Sequence, residues 1–104
     1  MTELVHAEAV APIVLPEPDS AGAMRERGMM YASGRGMPAD LVTAHQWFNL
    51  AAMLGCAEAA QLRREVAAEL TDAEIGRAQR AARDWVKAHP ELRATPAQQL
   101  RAAA

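Results

Sequence analysis

The run Tyr31-Ala32-Ser33-Gly34-Arg35-Gly36-Met37-Pro38-Ala39-Asp40 leaves this chain few ways to fold. Gly34 suits the left-handed position that follows a helix C-terminus, and Gly36 keeps the loop permissive. Met37-Pro38-Ala39-Asp40 leads back into a helix, with Asp40 as its N-cap. The segment therefore reads as helix, glycine-rich turn, helix. The first helix spans about residues 20–33, capped by Asp19 or Ser20, with Glu17 and Asp19 near its positive end. Ala21, Met24, Gly28 and Tyr31 share one face of it. Glycine in mid-helix costs up to about 1 kcal/mol against alanine. Gly28 is best explained by close approach of the second helix through Ala44, Phe48 or Ala51.

The second helix runs from about residue 41 to 54 and stops at Gly55. Leu41, Ala44, Phe48, Ala51 and Ala52 form one apolar stripe, and Trp47, Leu50 and Leu54 form another beside it. A helix apolar on two sides sits between neighbours. A third helix covers about 56–69, with Ala59, Leu62, Val66 and Leu70 on one face. Thr71-Asp72-Ala73-Glu74 is a capping box for a fourth helix, which ends near residue 88 before His89-Pro90. Ile75, Ala78, Ala82, Trp85 and Val86 make its apolar face. Strong helix formers dominate from Ala21 onward and β-branched residues are scarce, so the fold class is all-α. With 104 residues there is room for one domain.

The first two helices and their loop resemble the Sel-one-like repeat, a relative of the tetratricopeptide repeat. Gly28, Met30, Tyr31, Gly34, Gly36, Pro38, Asp40, Ala44, Trp47, Phe48, Ala51, Ala52 and Gly55 match that unit, Ala23 fits its opening alanine, and Met37 replaces a valine. The resemblance covers about residues 23–55. It implies a short solenoid-like array of about four antiparallel helices that binds other proteins. The third helix looks like the start of a second unit, with Ala59 at the repeat's alanine. No second Leu-Gly-x-Met-Tyr or glycine loop follows, and the fourth helix looks like a closing helix. Arg27 stands where the family has a leucine that packs on a preceding repeat. Arrays of this kind need about three repeats to bury their faces. One and a half leave apolar surface for a partner, a second copy, or the chain's own N-terminal arm.

That arm is residues 1–18, set apart from the helical region at 19–89 and a C-terminal tail at 90–104, which reads as frayed helix broken at Pro96. Pro12, Pro16 and Pro18 bias the arm toward extended backbone around Ile13, Val14 and Leu15. Two readings stand: a passive tail, or an arm docked on a partner or along the domain's own groove. Either way residues 1–17 are expected to be dispensable for stability. The resulting partner-binding candidates are Ile13, Val14, Leu15, Ala23, Arg27, Met29 and Met30. Methionine suits adaptable contacts.

Chemistry elsewhere is sparse. A net charge of −2 with cations scattered among carboxylates argues against nucleic acid. His6, His45 and His89 lie far apart, and His45, expected at the surface or half-buried, has no ligand partner at helical spacing, so no metal is expected. Cys56, the single cysteine, lacks an evident activating base and reads as a small core residue. It also points to a reducing, cytoplasmic setting. Gly34-Arg35-Gly36 follows a helix rather than a strand and lacks a Gly-Lys-Ser/Thr ending, so no phosphate loop or cofactor is expected. Tyr31, Trp47 and Phe48 read as core. No stretch approaches the roughly 20 apolar residues that span a bilayer. The N-terminus has Glu3 and Glu8, lacks a cationic stretch and makes a poor signal peptide. The expected function is a bacterial-style adaptor or accessory subunit of a protein complex, with self-association open. The alternative is a small enzyme or ligand-binding regulator with a pocket between the first and third helices.

Overall fold

Three of the four helices begin on a side chain that satisfies a free backbone amide. Ser20 Oγ accepts from the Ala23 amide at 3.1 Å, Asp40 Oδ1 from Thr43 at 3.0 Å, and Thr71 Oγ1 from Glu74 at 3.1 Å. The Thr71 amide donates back to Glu74 Oε1 at 2.8 Å, completing the capping box. Cys56 starts the remaining helix without a side-chain bond. In this computed structural model residues 14–92 are described. Within them the chain is all-helical and without strands: α1 (Ala21–Ser33), α2 (Leu41–Met53), α3 (Ala57–Ala67) and α4 (Asp72–Ala88), then a 3-10 turn at Pro90–Leu92. Ile13 and the rest of residues 1–13, and tail residues 93–104 with Pro96, lie outside the described residues.

The helix ends show why the boundaries fall where they do. Gly34 takes φ 70°, and its amide donates to the Met30 carbonyl at 3.2 Å, closing α1. The Asp40 amide then donates to the Tyr31 carbonyl at 3.0 Å, tying the loop back to α1. The third helix ends at Ala67, two residues before the expected position. The Glu69 and Leu70 amides donate to Val66 and Ala67 in a tighter turn, which reverses the chain toward Thr71.

α2 is the centre of the molecule, with α1, α3 and α4 all packed on it. Its Ala44, Trp47, Phe48, Leu50 and Ala51 are buried together with Met24 of α1, Ala59 and Val66 of α3, and Ala78 and Ala82 of α4. The alanines let the axes approach, and the large side chains of α2 fill the space between them. Fully burying a residue such as Phe48 contributes roughly 1.5–3 kcal/mol. Leu92, assigned to the tail from sequence, packs against this core. Arg25 near the start of α1 pairs with Glu58 at the start of α3 at 3.1 Å. α1 and α3 thus run parallel, bridged by α2. Among the described residues no helix is long and apolar enough to cross a membrane.

Candidate functional site

The parallel course of α1 and α3 leaves an open groove of about 270 Å³ between them. Met29, Ala32 and Ser33 form one wall, Leu62, Glu65, Val66 and Glu69 the other, and Leu41 and Phe48 of α2 the floor. It lies between the first and third helices, where the alternative sequence reading put a pocket. Met29 is 37 % exposed. Glu65 and Glu69 stand exposed on the rim, with Glu65 accepting from Gln61 Nε2 at 3.3 Å. Among the described residues, Ser33 Oγ in the α1 wall donates to the Met30 carbonyl at 3.2 Å and not to a base.

The opposite flank of α1 departs from the sequence reading. Arg27 was expected to face solvent or a partner. Instead it is half-buried, its Nη1 donates to the Pro16 carbonyl at 2.8 Å, and its guanidinium lies 4.5 Å from the Trp47 ring centre. Arginine does this because its planar cation stacks on an aromatic face while its edge still donates. Trp47 is only 6 % exposed and meets Trp85 of α4 edge-on at 5.7 Å. Trp85 in turn stacks on His89 at 4.0 Å, and its carbonyl accepts from His89 Nδ1 at 2.9 Å. A continuous series of contacts therefore runs from Pro16 through α1 and α2 to the end of α4. Leu15 and Pro16 are half-buried, whereas Val14 is 78 % exposed. Ala23 and Met30 are half-buried. The proposed partner-binding residues thus divide: Met29 belongs to the groove and Arg27 to the arm contact.

The positions that carry the resemblance have structural surroundings. Gly28 faces Phe48, Ala44 and Ala51 are fully buried, and Tyr31 and Ala52 are half-buried. Gly34, Gly36 and Gly55 all take positive φ, while Pro38 and Asp40 lie exposed in and after the loop.

His45 is a correction. It is buried, only 3 % exposed, and its Nδ1 has no hydrogen-bond partner among the described residues. Burial, then the positive charge of Arg63, hold its pKa below the usual 6.5, so the ring is neutral at neutral pH. Arg63 itself donates to Asn49 Oδ1 at 2.6 Å across the α2–α3 joint. The sequence held a signal for this: His45 sits four residues after Leu41 and three before Phe48, beside the apolar stripe. Cys56 is half-buried. Among the described residues no three His, Cys, Asp or Glu side chains gather as a metal site would require. No protein-family model, curated protein or solved structure matches this chain.

Proposed function

We propose that this chain is a protein-interaction module, an adaptor or accessory subunit built as one Sel-one-like unit, the start of a second and a closing helix. The observation that carries the reading is the α1–α3 groove, with an apolar floor and an exposed Met29 at its edge. An open groove covers too little of a small molecule to hold it well, since ligand pockets bury most of their ligand's surface. A peptide or helix from another protein covers the same surface and meets Met29, a side chain that adapts to varied partners. The residues lining the groove offer no convergent acid, base or nucleophile, which favours binding over catalysis. The single cysteine fits a reducing compartment, and the cytoplasm is the proposed location.

The test is quantitative co-purification from native lysate with wild-type and Met29→Glu baits. A partner recovered in stoichiometric amount by the wild type and lost with Met29→Glu supports the reading. Elution of the endogenous chain at its own mass, with nothing retained, overturns it.

A further inference from the structure

The groove has an electrostatic sign as well as a shape. Glu65 and Glu69 lie one helical turn apart, so their carboxylates stand along the same rim, with Cβ atoms about 5–6 Å apart. Among the described residues no lysine, arginine or histidine lines the groove. Both helices that form its walls also end there: α1 closes at Ser33, a wall residue, and α3 closes at Ala67, between Val66 and Glu69. The aligned peptide dipoles of a helix sum to roughly half a negative charge at its C-terminus, which the turn hydrogen bonds that close α1 and α3 lessen. Two parallel helix ends and two carboxylates therefore add in one place, above the apolar floor of Leu41 and Phe48. The only ion pair at the α1–α3 seam among the described residues, Arg25 with Glu58, lies at the other end of the helices.

From this we infer that the groove receives a cationic amphipathic segment of another protein, with apolar side chains on Met29, Leu41 and Leu62 and Lys or Arg paired to Glu65 and Glu69. The inference rests on the reading of the groove as a docking surface and adds the chemical class of the partner. An acidic or neutral segment would bring no compensation for the negative field, and a like-charged one would be repelled.

The experiment uses the full chain, isotopically labelled, and two short synthetic peptides with identical leucine and alanine positions. One carries lysine at the remaining positions, the other glutamate. The lysine peptide is expected to shift the amides of Met29–Ser33 and Leu62–Glu69, and to weaken as salt rises. Glu65→Gln/Glu69→Gln should reduce its affinity about fivefold, the scale of two rim charge pairs. Both positions are exposed, and circular dichroism checks that the variant stays folded. Equal binding of the glutamate peptide in the groove would overturn the cationic class while keeping the docking reading. Binding of neither peptide, or binding only at the Arg27 flank, would overturn both for this groove. The basic residues Arg93 and Arg101 near the chain's end supply a further control. If deleting residues 93–104 raises the lysine peptide's affinity about as much as the glutamine variant lowers it, the groove serves the chain's own tail, and the partner proposal fails.

Discussion

A Cβ placed on Gly28 would sit 2.5 Å from both Cδ1 and Cε1 of Phe48, closer than such atoms ever approach. The absence of a side chain on α1 is thus what lets the largest fully buried side chain of α2 lie flat against it. Phe48 is 1 % exposed and packed within the core, so its ring cannot shift without disturbing the side chains around it.

Gly28→Ala is therefore expected to destabilise the domain, although alanine is the better helix former by about 1 kcal/mol. The overpacking term of about 1–3 kcal/mol outweighs the gain. Denaturant unfolding of Gly28→Ala, Phe48→Leu and the double variant checks it: the smaller side chain should recover part of the loss, and strict additivity would argue against direct contact.

Trp47→Ala should cost about 3–5 kcal/mol, because it removes the surface shared by Arg27 and Trp85 as well as the buried volume. Near-ultraviolet dichroism and the melting temperature read this directly. A variant with unchanged melting would mean that Trp47 is not a core element.

The bond from Arg27 to Pro16 changes the expectation for the arm. Sequence alone makes residues 1–17 dispensable for stability, yet their removal deprives a half-buried guanidinium of its acceptor. A loss of about 1.5–3 kcal/mol is expected, in line with hydrogen bonds to charged groups. The same truncation in an Arg27→Met background should cost clearly less. Equal losses in both backgrounds would show that the bond contributes nothing.

Stability should fall in mild acid because of His45. Its pKa is depressed in the folded chain by burial and then by Arg63, so the unfolded chain takes up a proton first as pH drops below about 6.5. Above that value both states are neutral and the group has no effect. Melting temperatures are expected to be level above neutrality and to decline toward pH 5, with a shallower decline in His45→Gln. Identical profiles for the two proteins would sink the assignment.

Asp40 has the opposite dependence. Its pKa lies below 3.8 because it accepts from the Thr43 hydroxyl at 2.7 Å and from the Thr43 amide. The ionised cap stabilises above the unfolded value and is lost as pH falls through the folded one. Asp40→Ala should cost about 1 kcal/mol at pH 7. The gap from wild type should close in strong acid, and chemical denaturation across that range measures it.

Helix identity, the Gly34 turn and the caps at Asp40 and Thr71 were legible in the sequence because each is decided within one turn of chain, and the first cap was narrowed to Asp19 or Ser20, of which Ser20 is the one used. A left-handed glycine, a hydroxyl three residues before a free amide and an apolar face every third or fourth residue act on their own neighbours. Gly28 pointed to a close helix pair for the same reason, since mid-helix glycine is locally unfavourable and needs a distant compensation. Which residue met it was decided only in three dimensions, as were the burial of His45, the stacking of Arg27 on Trp47 and the contact of Trp47 with Trp85. These depend on the rotation and spacing of helices far apart in the chain, and a side chain's surroundings there follow from three packed surfaces at once. The groove is of this second kind. Its floor comes from α2 and its walls from two helices that scarcely touch. Glu65 and Glu69 come to face Met29 and Ser33 across it only because α1 and α3 run side by side, which no stretch of the sequence specifies alone.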